Sequence, residues 1–272
     1  MKYYAIGDVG GYLEPLRETL GELDRRMSPG DKLVFFGNCI GDGPDPLGVL
    51  RLVRARCASE ENATQLLGDE DESFLEWVSH DVSDADPIWA SPADDFRRLR
   101  RLLPWEALAP LIVESFGPYY QSKSSIRMGH PVKRELWHRY NALFRWLDGI
   151  DYTLTTDRLV FTRPHESVIH DECGHFLGRT TSIRDHLLDG SGNAVRALVF
   201  GRFQTLTGMH LQHVRYRGLR MNGVVVYVLE GTVDRTGQIP VLVHDNETGD
   251  SGTLFRDEHG AWREEPVAVG SF

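Results

Sequence analysis

KLVFFGNCIGDGP, residues 32–44, is the stretch on which the fold turns. Lys32 to Phe36 is an apolar run of strand length, and Gly37 ends it. The glycine-rich turn Gly37 to Gly43 follows. The same pattern stands on either side. Upstream, Tyr3 to Ile6 is a short apolar run ended by Gly7-Asp8, with Gly10-Gly11 allowing a tight turn. Downstream, Ala63 to Leu67 is a third run, ended by Gly68.

Between these runs the apolar period changes from that of a strand to that of a helix. Leu13, Leu16, Leu20, Leu23 and Met27 recur at spacings of three and four, which predicts an amphipathic helix closed by Pro29-Gly30-Asp31. Leu47, Leu50 and Val53 mark a second helix over residues 47–55. Strand, helix, strand, helix, strand is a βαβαβ run, so the sequence predicts parallel strands with crossover helices. Ligands of such sheets sit beyond the carboxyl ends of the strands. Here those ends are Gly7-Asp8, Gly37-Asn38 and Gly68-Asp69, three equivalent loops converging on one rim.

Residues from about 72 to 146 read mainly as helix, clearest at Arg97 to Leu103 and Glu135 to Trp146, with a loop over Asp84 to Pro92. This stretch is expected to be a cap or insertion. Strands resume at Arg158 to Thr162 and Ala197 to Phe200, ended by Arg163-Pro164 and Gly201-Arg202. The pattern then turns to β at Val224 to Leu229, Pro240 to His244 and Gly252 to Phe255. The expected organisation is one domain over residues 1–230. A β extension over 231–272 either completes the second sheet or stands as an appendage.

Composition narrows the function. Of 272 residues, 41% are hydrophobic and 26% charged, the balance of a globular protein, and the net charge of −10 argues against a broad nucleic-acid surface. Cys39, Cys57 and Cys173 are odd in number and far apart, which fits a reducing compartment better than a disulfide framework. The first residues lack the apolar stretch of a signal peptide, and no segment has the length of a membrane span. A cytoplasmic protein without membrane contact is expected.

The loops carry a resemblance. In order, the chain has Gly7-Asp8-Val9-Gly10-Gly11, Gly37-Asn38-Cys39-Ile40-Gly41-Asp42-Gly43, Gly68-Asp69-Glu70-Asp71, Phe161-Thr162-Arg163 and Val199-Phe200-Gly201-Arg202. This resembles the calcineurin-like metallophosphoesterases, whose motifs are Gly-Asp-x-His-Gly, Gly-Asp-x-x-Asp-Arg-Gly, Gly-Asn-His-Glu, a lone His after a strand, and Gly-His. The order matches, each motif follows an apolar strand, and the first three lie about 30 residues apart. The flanks look like the branch of bacterial serine/threonine phosphatases and dinucleoside tetraphosphatases. The resemblance implies an α/β fold, a four-layer α/β/β/α sandwich of two mixed sheets flanked by helices.

The departures are systematic. The resemblance implies metal ligands at the motif positions, yet only Asp8 is unchanged. The first motif's His is Gly10, the metal-bridging Asp is Asn38, and the third motif's Asn is Asp69. The late histidines are Arg163 and Arg202, the catalytic His is Glu70, and the phosphate-clamping Arg is Asp42. Two-metal hydrolysis needs two ions held close together to activate water and neutralise the phosphoryl group. An amide is a poor bridge between dications, and arginine is cationic and cannot be a ligand. At roughly 4 Å even one unit of like charge costs about 4 kcal/mol at an effective dielectric of 20.

The expectation is therefore a degenerate metal site at Asp8, Asn38 and Asp69, with no confident catalytic residue and no cofactor. Arg163 and Arg202 stand in for the metals, pairing with Asp8, Asp69 and Glu70 or binding phosphate oxygens. Three function classes follow. One is a pseudophosphatase that binds a protein partner or a phosphorylated small molecule. Another is a residual hydrolase using one Mn²⁺ or Mg²⁺ held by oxygen donors. The last is a structural or assembly subunit. His170, Cys173 and His175 could form a separate metal site but read better as a solvated loop, and His210 and His213 are a weaker pair.

Overall fold

The computed structural model describes residues 1–41, 43–79, 129–156, 158–162, 168–170, 176–179, 197–202, 215–221, 224–230 and 233–271. Its centre is the strand Lys2–Ile6 (β1), in which successive side chains enter two different cores. Tyr4 and Ile6 join a cluster shared with the helices, while Tyr3 and Ala5 join a cluster shared with a second sheet. Strand side chains alternate between faces, so a strand covered on both sides reads as one apolar run.

Lys32–Phe35 (β2) and Ala63–Gln65 (β3) follow β1 in parallel, and the helices Leu13–Arg26 (α1) and Pro46–Ser59 (α2) cross between them. In α2, Asp45 caps the helix by accepting from the Gly48 N–H at 2.8 Å, and Pro46 sits in the first turn where its missing N–H costs nothing. Asp69–Ser79 (α3) and Gly129–Asp148 (α4) complete this helical layer. They meet through an edge-on contact of Phe74 and Phe144, with ring centroids 5.4 Å apart. The expected cap thus begins and ends in helices that pack into the main core, and residues 80–128 lie outside the described residues.

The first sheet continues on the other side of β1 with Val241–Asp245 (β11), Ser251–Arg256 (β12) and Trp262–Pro266 (β13), giving the order β13-β12-β11-β1-β2-β3. Of the stretch expected either to complete the second sheet or to stand as an appendage, these three strands extend the first sheet, because five residue pairs zip β11 antiparallel onto β1. Only Val269–Ser271 (β14) crosses to the second sheet. The other strands of that sheet are Thr153–Thr155 (β4), Leu159–Thr162 (β5), Ala197–Arg202 (β8), Arg215–Met221 (β9) and Val224–Glu230 (β10). Its order is β14-β9-β10-β8-β5-β4. Val168–His170 (β6) and Phe176–Arg179 (β7) pair as a separate hairpin.

The two sheets face each other over Tyr3, Val34, Phe36, Phe161, Tyr216 and Tyr227. Helix, sheet and sheet therefore form three stacked layers of an α/β sandwich. The helical layer expected on the outer face of the second sheet falls outside the described residues. Among the described residues no helix is long and apolar enough to cross a membrane.

Candidate functional site

The loops after β1, β2 and β3 meet backbone to backbone. Phe36 N–H bonds Ile6 O at 2.9 Å and Leu66 N–H bonds Phe35 O at 2.8 Å, extending the ladder to the loop mouths. Gly37 then adopts a φ of +81°, and a Cβ there would lie 2.2 Å from Gly68 N. Only glycine fits such an approach. The first loop is held to the second by Gly10 N–H to Asn38 O at 2.7 Å and Gly43 N–H to Gly10 O at 2.7 Å.

Five strands end at this rim. Arg158, before β5, donates to the backbone of Asn246, which itself bonds Met1 O at the opposite end of β1. Phe161, near the far end of β5, packs on Phe36 with centroids 6.0 Å apart. β5 therefore runs the same way as β1, and β8 is parallel to it, with Thr162 level with Phe200. This brings the ends of β5 and β8 to the rim, as the sequence predicts. Arg202 is the last residue of β8, with its side chain outside the described set. Arg163, Asp42, Cys173, His175, His210 and His213 lie outside the described residues, and His170 is placed only as the end of β6.

Asn38 occupies the middle of the rim. It is half-buried with a φ of +48°, an uncommon conformation that Asn tolerates better than most residues. Its Nδ2 donates to Asp8 Oδ1 at 3.1 Å, and its Oδ1 accepts from the Glu70 N–H at 3.0 Å. The opposite amide orientation would set an oxygen against the Asp8 carboxylate and an NH₂ against the Glu70 N–H, so the surroundings fix this one. One side chain thus ties the first loop to the start of α3.

The third loop is shorter than its sequence suggests, because α3 begins within the motif. Its acidic residues open a helix: α3 starts at Asp69, and four carboxylates occupy residues 69–72. Acidic side chains in a first helical turn are favoured by the helix dipole. Asp69 is placed by its backbone only. Asp71 turns inward, fully buried, and its Oδ1 accepts from the Ile40 N–H at 2.8 Å. Burial pushes its carboxyl up to about 6, opposed by the N–H groups of Ile40, Cys39 and Gly68 and assisted by the charge of Asp8. Asp71 is therefore a buried strut between the second loop and α3. The acidic fourth position of the third motif was its only signal.

Two tyrosines support the same region. Tyr216, buried in β9, donates to Ala5 O at 3.3 Å, and its hydroxyl is held protonated first by burial and then by the charge of Asp8. Tyr152 donates to Glu72 Oε1 at 2.6 Å, and that bond, with burial, pushes its hydroxyl up to about 12. Neither position is recognisable from local sequence.

No protein-family model matches the chain. Two curated proteins do. A symmetrical bis(5'-nucleosyl)-tetraphosphatase of Azotobacter vinelandii is 29% identical over 163 residues, covering 55% of this chain and 56% of that protein. A protein of the same name from Methylococcus capsulatus is 33% identical over 118 residues, 41% of this chain and 39% of the other. With the motif loops on one rim of an α/β sandwich, this similarity places the sequence. The chain resembles the calcineurin-like metallophosphoesterase superfamily. It spans only about half the length, or less, of these two relatives. A metallophosphoesterase crystal structure from Sphaerobacter thermophilus aligns over 97% of this chain and 90% of that one, with 12% identity and a TM-score of 0.46.

The superfamily's two-metal centre does not fit the described residues. At the bridging position both ends of the Asn38 side chain are engaged with protein atoms, one of them a donor group turned toward Asp8. An NH₂ facing the carboxylate occupies the direction from which a cation would approach. Gly10 has no side chain to ligate a metal, although a Cβ there would meet nothing nearer than Tyr12 at 3.8 Å. Among the described residues no group of three or more His, Cys, Asp or Glu side chains is arranged to hold a metal ion.

Proposed function

We propose that this chain binds a phosphorylated ligand at the rim without performing two-metal hydrolysis. The observation that carries the reading is the Asn38 amide, which spans from Asp8 to the backbone of Glu70 where a bridging carboxylate would be needed. A neutral bridge of this kind ties the loops without a cation and adds no further carboxylate beside Asp8. Arg163 and Arg202 supply the positive charge in this reading, since guanidinium forks match phosphate oxygens. A dinucleoside polyphosphate is the ligand class to try first, because the curated relatives are named for one.

The test uses the intact chain. Isothermal titration with a dinucleoside tetraphosphate in EDTA is expected to give saturable binding, weakened about tenfold or more by Arg163→Ala or Arg202→Ala, a loss of about 1.4 kcal/mol or more. The same preparation with Mn²⁺ is expected to release no nucleotide product. Turnover with Mn²⁺ that Asp8→Ala abolishes would overturn this reading. It would favour a second one, suggested by the relatives' names, in which a residual hydrolase uses one Mn²⁺ or Mg²⁺ on oxygen donors.

A further inference from the structure

We infer that Asn38 is a positioning residue that replaces a metal as the tie between the rim loops, so that a single Asn38→Asp change makes the order of the rim depend on a divalent cation. The inference deepens the metal-free reading above and rests on it. Three features carry it.

The first is reach. Asp8 follows β1, Asn38 follows β2, and Glu70 lies in the first turn of α3, so the three residues belong to three separate segments. The Asn38 side chain bonds both of the others, at 3.1 and 3.0 Å. Its own carbonyl adds a third tie, accepting from Gly10 N–H at 2.7 Å.

The second is polarity. The Asn38 side chain must donate on one side and accept on the other, which an amide does at any pH and a carboxyl of the same size does only when protonated. Aspartate would still accept from the Glu70 N–H. Toward Asp8, however, an ionised side chain would present a second carboxylate at hydrogen-bond distance, and two carboxylates that close either share a proton or need a cation between them.

The third is confinement. The residue cannot readily swing away. Its backbone holds a φ of +48°, and Gly68 lies so close that a Cβ on that glycine would meet Asn38 Oδ1 at 2.3 Å. A carboxylate at position 38 is thus held against Asp8.

Thermal unfolding of the full chain, in EDTA and in MnCl₂, tests this with three proteins: wild type, Asn38→Asp, and the exchanged pair Asp8→Asn/Asn38→Asp. The wild-type Tm is expected to be the same in both buffers. Asn38→Asp is expected to lose about 4–8 °C in EDTA and to regain it in MnCl₂. The exchanged pair again sets one amide against one carboxylate, so it is expected to recover part of the loss in EDTA and to ignore MnCl₂. If Asn38→Asp does not fold in EDTA, its recovery in MnCl₂ and the exchanged pair still decide the matter. An Asn38→Asp protein with wild-type Tm in EDTA, or an exchanged pair no better than the single variant, overturns the tie alone. A wild-type Tm that rises in MnCl₂, and no longer does so with Asp8→Asn, overturns the metal-free reading itself.

Discussion

Asn38 donates its side-chain amide to Asp8 at 3.1 Å from a left-handed backbone position, and both properties are needed at once. The amide supplies a bond to a charged acceptor, worth about 1.5–3 kcal/mol. The conformation costs an ordinary L-residue about 1–2 kcal/mol and costs glycine almost nothing. Asn38→Gly and Asn38→Ala separate the two. Asn38→Gly is expected to destabilise by roughly 2 kcal/mol through the lost bonds. Asn38→Ala should lose about 1 kcal/mol more through the backbone. Urea unfolding of the two variants checks this. Equal loss in both would mean that the conformation carries no strain, and no loss in either would mean that the bonds contribute nothing.

Gly37 and Gly68 bring the second and third loops together more closely than any side chain allows. A Cβ on Gly37 would sit 2.2 Å from Gly68 N, and one on Gly68 would sit 2.0 Å from Asn38 N. In both cases the obstacle is backbone, which cannot rotate aside. Gly37→Ala is expected to cost about 3 kcal/mol, because it adds overpacking to the penalty of a φ of +81°. Gly237→Ala is the control: its φ is +65° but nothing lies within 4 Å, so the cost should stay near 1 kcal/mol. Similar losses at the two sites in chemical denaturation would show that the close approach is not what matters.

What the sequence revealed and what it hid divide by range. Strands 1 and 2, their crossover helices and the rim glycines were legible because each rests on local periodicity or on one residue's backbone freedom. The apolar run of β3 reaches Leu67, but the strand ends at Gln65, since Leu67 N–H leaves the ladder for Asp151 O at 3.0 Å. β9 leaves no local signal in the sequence. Arg-Tyr-Arg-Gly-Leu-Arg-Met has no apolar alternation, and the strand is held by seven residue pairs with β10. The apolar runs of β11 and β12 are legible, but β13 and β14 are not, and no local pattern tells that β11 pairs with β1, because that pairing joins segments more than 230 residues apart. At the site, the loss of individual ligands was visible residue by residue. The joining of Asp8, Asn38 and Glu70 by one amide was not, for it depends on how segments some 30 residues apart meet.

Asp71 makes the rim's stability depend on pH in a direction opposite to the usual surface carboxylate. Its side chain is fully buried, Oδ1 is engaged by Ile40, and Oδ2 has no hydrogen-bond partner among the described residues. Burial lifts the folded-state value to about 6 from an ordinary 3.8. A raised folded value means that the folded protein holds the proton more tightly than the unfolded chain does. The stabilising contribution is therefore complete below about pH 4 and is lost as pH rises through about 6, an effect of about 2–3 kcal/mol. Asp71→Asn keeps an oxygen for the Ile40 N–H and never ionises. Any cost of its extra N–H group is the same at every pH, so only the slope is diagnostic. Relative to wild type, the variant is expected to gain Tm steadily from pH 4 to pH 7 and to level off above. A difference that stays flat, or that falls across this range, would mean that Asp71 is ionised in the fold throughout and is compensated by groups other than these three N–H donors.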